Sequence, residues 1–156
     1  MGEPPWLNDR ELRTWEGFLA VATILNRSVE QQLREVAGLS HSQYELLVRL
    51  AGAPDGSLRM TELAGASLTS KSGLTYQVDQ LEKAGLVRRS ASADDDRGVL
   101  ASITEVGWER LRGAAPGHAA LVRRLFLDGL QPAEFEGLAV GVAALLRWLR
   151  SDDAAL

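Results

Sequence analysis

The side chains that can do chemistry in this sequence are few, and their types suit holding another molecule better than making or breaking bonds. His41 and His118 are the only histidines, stand far apart, and belong to no HExxH or similar ligand pattern. A helix start and a surface position are expected for them. Cysteine is absent, which removes disulfides, thiolate metal sites and thiol redox chemistry. Asp94, Asp95 and Asp96 lack the spaced oxygens and terminal Glu of an EF-hand loop. There is no Gly-rich phosphate loop, no GxSxG and no nucleophile–base pair. Catalysis is not expected, and nothing calls for a metal or cofactor. What remains is a run of hydroxyls with one lysine, Thr69, Ser70, Lys71, Ser72 and Thr75, followed by Tyr76 and, further on, Arg97 among aspartates. Small hydroxyls and a lysine at a helix N-terminus allow close approach to phosphates and base edges. Arg97 is either held by a neighbouring carboxylate, so that its guanidinium enters a narrow minor groove already oriented, or is a loosely paired surface group worth under about 1 kcal/mol.

The elements that would present these groups can be read from spacing. Thr69 is a good N-cap, worth about 1 kcal/mol against Ala, for a helix running to Ala84, and Gly85 supplies a left-handed stop. Leu74, Val78 and Leu81 fall on one face of that helix. Thr69, Ser72, Tyr76, Asp79 and Lys83 fall on the other, with Ser70, Lys71 and Thr75 near its leading end. Leu86 to Ala91 and Val99 to Ile103 have the β-branched content and partial alternation of a hairpin, with Ser92 to Gly98 as its polar tip. Upstream, Met60 to Leu68 forms a short helix, Ser57-Leu58-Arg59 a very short strand, and Pro54-Asp55-Gly56 a turn. This order of parts is that of a winged helix-turn-helix, with a helix for the major groove and a hairpin tip for the minor groove. Arg88 and Arg89 join the candidate DNA-facing set.

Long helices flank this lobe. After an Asn8 or Asp9 cap, Leu12, Trp15, Leu19, Ala22, Asn26, Val29, Leu33 and Val36 recur by three and four, widened by Phe18 and Leu25. A helix of about 28 residues reaches about 40 Å, longer than a small winged lobe needs for its own core, so part of it is expected to bury against another chain. Asn26 is either a register-fixing residue in that seam or a solvated one at its edge. Gly38 ends the helix and Ser40 opens the next, with Tyr44, Leu47, Val48 and Leu50 facing inward. Thr104 caps a further helical region that Ala115-Pro116-Gly117 should kink or break, and Pro132 starts a terminal helix. The fold class expected is mainly α with a small β-hairpin wing: about six helices, two to three short strands, and a helical dimerisation region, in one chain over 1–156. Residues 9–38 and 105–150 would form the dimerisation region and 40–104 the DNA-binding lobe.

Composition sets limits on this expectation. Apolar residues make up 46% of the chain, enough for a packed core, whereas a net charge of −4 argues against a general nucleic-acid sponge. The acidic balance and Asp96 keep open an alternative, a winged-helix protein-interaction module without DNA binding. No basic and apolar leader opens the sequence, and the longest apolar run, Gly137 to Leu146, ends at Arg147, so a cytoplasmic protein without a membrane span is expected.

LTYQVDQLEKAGLVRR followed by DDDRGVLASITEVG resembles the MarR family of bacterial winged-helix regulators. The matching positions are Thr75, Leu81-Glu82, Gly85-Leu86-Val87, Arg89, Asp95-x-Arg97-Gly98, and Ile103-Thr104 with Gly107. The resemblance extends over nearly the whole chain. It implies a homodimeric transcriptional regulator, most often a repressor, on a pseudo-palindromic double-stranded operator. Arg97 would be the minor-groove arginine, Asp95 its orienting group, and Ser70, Lys71, Ser72, Thr75 and Tyr76 the groove-facing set. Many members carry Arg where this chain has Tyr76, and a basic residue where it has Asp96. The resemblance also implies a small aromatic effector, with Trp15, His41 and Tyr44 as pocket candidates, and Trp15, Leu19, Leu125, Phe126, Leu138, Leu145 and Trp148 as seam residues whose other role is internal core.

Overall fold

The structure, a computed structural model, describes residues 6–66, 71–92 and 95–151. The expected Thr69 cap and Ser70 lie outside the described residues, as do the side chains of Lys71, Asp95, Asp96 and Arg97, whose backbones are described. The chain divides into two compact units, Met1–His118 and Ala119–Leu156.

The first unit begins with α1 (Asp9–Ala37), whose Asn8 side chain accepts from the Arg10 and Glu11 amides while Glu11 bonds back to the Asn8 amide. Such a capping box satisfies donors that the first helical turn would otherwise leave open. Gly38 (φ 66°) closes α1 in the left-handed conformation. Only the last third of α1 enters the core, through Val29, Leu33 and Ala37, and the earlier Leu12, Trp15, Phe18, Leu19, Val21 and Ile24 are all exposed. Of the stripe read from sequence, Val29 and Leu33 are buried, whereas Leu12, Trp15, Leu19 and Val36 are exposed.

Ser40 caps α2 (His41–Gly52), and the corner between α1 and α2 is tied by the His41 amide donating to Glu30 Oε2 at 2.7 Å. After the Pro54–Gly56 turn come β1 (Ser57–Arg59), α3 (Met60–Ala66), α4 (Lys71–Lys83), β2 (Val87–Ser92), β3 (Asp95–Ile103) and α5 (Glu105–Val122). The sheet is antiparallel in the order β1-β3-β2, with Leu58 and Arg89 both opposite Ala101. Leu33, Leu39, Leu47, Leu50, Leu63, Val78, Leu81, Leu86 and Val87 are fully buried and form the core beneath the helix-turn-helix and the hairpin.

Val48, expected to face inward on α2, is instead 44% exposed, and two further expectations need correction. The polar tip expected over Ser92 to Gly98 is shorter, because β3 already begins at Asp95, Ser92 pairs with Asp95, and an irregularity between Ala91 and Ser92 absorbs the change of register. Backbone hydrogen bonds extend a hairpin past the point where apolar alternation stops. Pro116 does not break its helix either. α5 runs through it, anchored on the preceding turn by buried Leu111 and Ala114, and the departure from α geometry comes later, as a π-helical turn over Arg123–Leu127.

The second unit holds the end of α5, that wide turn, and α6 (Pro132–Leu149). Pro132 stands in the first turn, and the Gln131 amide donates to Glu134 Oε2 at 2.8 Å. No residue of α6 is buried, and Phe135, Leu138, Val140, Val142, Leu145, Leu146, Trp148 and Leu149 all remain exposed. No helix among the described residues is long and apolar enough to cross a membrane.

Candidate nucleic-acid interface

α4 is built as a helix with one face committed to the core. Leu74, Val78 and Leu81 are all at most 2% exposed, which fixes the rotation of the helix about its axis. The opposite side then turns outward, and Ser72, Thr75 and Tyr76 are exposed there, Tyr76 to 60%. The backbone of Lys71 forms the first residue of α4. Gly85 (φ 73°) ends the helix region in the left-handed conformation, and the chain turns directly into β2.

The corner between α4 and the wing is braced from two sides. Thr104 Oγ1 donates to the Gly85 carbonyl at 2.6 Å and accepts from the Gly107 amide at 3.0 Å, so one hydroxyl both caps α5 and ties it to the end of α4. On the other side, Arg89 of β2 is bound by carboxylates of α4. Its Nε and Nη2 donate to Glu82 Oε2 at 2.9 and 2.7 Å, and Nη2 lies 2.6 Å from Asp79 Oδ1. Its amide donates to Glu82 Oε1 at 2.9 Å. These bonds, the amide first, hold the Glu82 carboxyl below the usual carboxylate range, and Glu82 in turn raises the Arg89 guanidinium. Arg88, the neighbour on the other face of β2, is exposed. The two arginines grouped together in the sequence thus differ: one is exposed and the other is engaged within the protein. The backbones of Asp95 and Arg97 both lie in β3.

The effector candidates do not come together as a trio. Trp15 stacks on Phe18, ring centroids 6.1 Å apart, on the exposed part of α1. Tyr44 and His41 instead meet His118, a residue expected at the surface, whose ring lies 4.6 Å from Tyr44 and 6.4 Å from His41. Leu111, Ala114 and His118 recur by three and four along α5, and that spacing was the signal that His118 faces inward. Tyr44, Glu45, Val48, Arg49 and His118 line an open hollow of about 360 Å³. His118 Nδ1 is buried without a hydrogen-bond partner among the described residues.

Burial, with the nearby His41 second, pushes the His118 imidazole below its ordinary value of 6.5, while Glu45 opposes the shift. Between that ordinary value and the depressed one, the unfolded chain binds a proton that the folded chain does not, so stability falls as pH drops through this window. His118→Phe keeps the ring against Tyr44 and removes the proton site. Thermal midpoints measured from about pH 7 down to about pH 5.5 are expected to fall less in this variant than in the parent. Equal slopes would contradict the assignment. Glu30 and Glu82, both held below 4.5, lose their contributions only in more acid solution.

An antiparallel hairpin beside a helix-turn-helix, with the second helix exposing its hydroxyl-rich side, defines a winged helix-turn-helix protein. The family model "MarR family" matches residues 39–99. The crystal structure of Sco3205, a MarR family transcriptional regulator from Streptomyces coelicolor in complex with DNA, is 38% identical, covers 98% of this chain and 96% of its own, and superposes with a TM-score of 0.92. AbsC, another MarR family regulator from Streptomyces coelicolor, is 38% identical over 94% of this chain and 99% of its own, with a TM-score of 0.90. The HTH-type transcriptional regulator YfiV of Bacillus subtilis is 32% identical over 93% of this chain and 88% of its own length. The chain belongs to the MarR family of transcriptional regulators. Its relatives are regulators rather than enzymes.

Proposed function

We propose that this chain is a cytoplasmic homodimeric transcriptional regulator, acting as a repressor, that binds a pseudo-palindromic DNA operator and is released by a small aromatic ligand. The observation that carries the DNA-binding part is the outward, hydroxyl-rich side of α4 in a chain similar along almost its whole length to a regulator whose structure contains DNA. Residues 40–104 do the reading: α4 enters a major groove, with Thr69, Ser70, Lys71, Ser72, Thr75 and Tyr76 as the DNA-facing set, and Arg97 enters the adjacent minor groove with Asp95 orienting it. Arg88 contacts the phosphate backbone. Residues 9–38 and 105–150 supply the dimer surface.

Support for a dimer comes from the uncovered apolar faces. α1 exposes Trp15 and Leu19, and α6 exposes Leu138, Leu145 and Trp148 with no buried residue along its length, while Leu125 and Phe126 stand on the wide turn before it. Exposed apolar surface on this scale marks an interface. Two copies would place their α4 helices about 34 Å apart, one turn of DNA. A ligand in the hollow beside Tyr44 and His118, close to His41, need only favour a spacing that mismatches the operator, since differential affinity sets the response.

The test is a fluorescence titration of the full chain against duplexes from the region upstream of its own reading frame. Lys71→Ala should weaken binding to all sequences and flatten the salt dependence by about one unit of slope. Arg97→Ala should weaken binding by about 1–3 kcal/mol. Undiminished binding by both variants contradicts the site, and failure of the parent to bind any such duplex contradicts the function.

A further inference from the structure

We infer that Arg89 is a positioning residue, clamped by Asp79 and Glu82 so that the recognition helix and the wing keep one fixed angle, and that it is not a phosphate ligand. This rests on the DNA-binding reading above and extends it to a residue that the sequence had grouped with Arg88.

The geometry has three parts. Glu82 spans the corner with both oxygens, Oε1 accepting the Arg89 amide and Oε2 accepting two guanidinium N–H groups. A fork held by one carboxylate in this way has one orientation, unlike a lysine ammonium. Asp79, one turn earlier on α4, lies 2.6 Å from the same Nη2 that donates to Glu82. The Arg89 side chain keeps only 32% of its surface, and all three partners are joined across the Gly85 turn. An isolated surface ion pair contributes little to stability. The value of this one lies elsewhere, because α4 carries the major-groove side chains and β2 leads to the wing, so any loosening between them misaligns two contacts that must reach DNA at once.

Charge provides the discriminating experiment. Glu82→Ala removes a negative charge from the DNA-reading lobe and frees Arg89, which by electrostatics alone should tighten DNA binding and steepen its salt dependence. The clamp requires the opposite: binding weaker by about fivefold or more, with the salt slope unchanged, and the same for Arg89→Lys, which keeps the charge but loses the fork. A second measurement needs no DNA. Amide hydrogen exchange in the full chain should quicken along β2 and β3 in Glu82→Ala while α2 amides keep their parental rates.

Tighter binding with a steeper slope, or parental exchange in the hairpin, would overturn the clamp. If the parent protein binds no duplex at all, the functional reading falls, and the exchange comparison still decides whether Glu82 and Arg89 fix the corner.

Discussion

Gly107→Ala is expected to destabilise the winged lobe by about 3 kcal/mol or more, lowering the thermal midpoint by about 6–12 °C for a chain of this size. Gly107 lies in the first turn of α5, where the helix passes directly over the Leu86 carbonyl. A methyl group there would fall onto the Leu86 oxygen, with Ile103 Cγ1 at 2.8 Å and the Leu86 carbonyl carbon at 3.1 Å. Backbone cannot rotate aside as a flexible side chain can. Moving Leu86 would also disturb the bond from the Thr104 amide to its carbonyl at 3.0 Å, and with it the corner that joins α4, β2 and α5. Gly113, exposed on the same helix with nothing within 4 Å of an added methyl group, is the internal control. Gly113→Ala should gain up to about 1 kcal/mol from helix propensity alone. A thermal melt of both variants checks the pair, and equal midpoints would mean that the close approach at Leu86 is not a constraint.

Replacing Leu138 and Leu145 together by Glu is expected to leave the fold intact, produce monomers, and weaken operator binding by about 10²–10⁴-fold. The two positions are seven residues apart on α6 and share a face. Each is already exposed, Leu138 to 36% and Leu145 to 47%, so a charge there leaves no cavity within the chain. In a dimer the same positions would bring like charges together in a dry seam, which is costly. The loss in DNA binding follows because a monomer holds only one half-site, and the second contact no longer benefits from being tethered to the first. Sedimentation velocity reads the assembly and the duplex titration reads the affinity. A dimer that survives both substitutions would move the seam elsewhere, with the exposed part of α1 next in line.

Much of this architecture could be read from local signals. Asn8, Gly38, Ser40, Gly85, Thr104 and Pro132 mark helix ends by satisfying or omitting particular backbone groups, and each sits in the structure where that chemistry puts it. The buried face of α4 followed equally from the spacing of Leu74, Val78 and Leu81.

What could not be read is what depends on partners distant in sequence or on the absence of pattern. The early start of β3 rests on backbone pairing that does not depend on side-chain type, so Asp95 and Asp96 gave no sign of it. Pro116 stays helical because neighbouring turns are anchored by packing, which spacing alone does not reveal. Asp79, Glu82 and Arg89 meet only after the chain reverses at Gly85, and in the sequence Arg89 is merely one of two adjacent arginines. His118 reaches Tyr44 and His41 across a long stretch of chain, and only its place in the Leu111, Ala114, His118 series hinted at an inward side chain.

Two copies of this chain should grip one operator, with one recognition helix each. Sedimentation equilibrium of the purified protein with a duplex from its own upstream region, read at the absorbance of protein and DNA separately, counts the chains on that duplex. Two chains per duplex, with no stable complex of one, is the expected result. A single bound chain at saturation, or no complex at all with any duplex from that region, would contradict it.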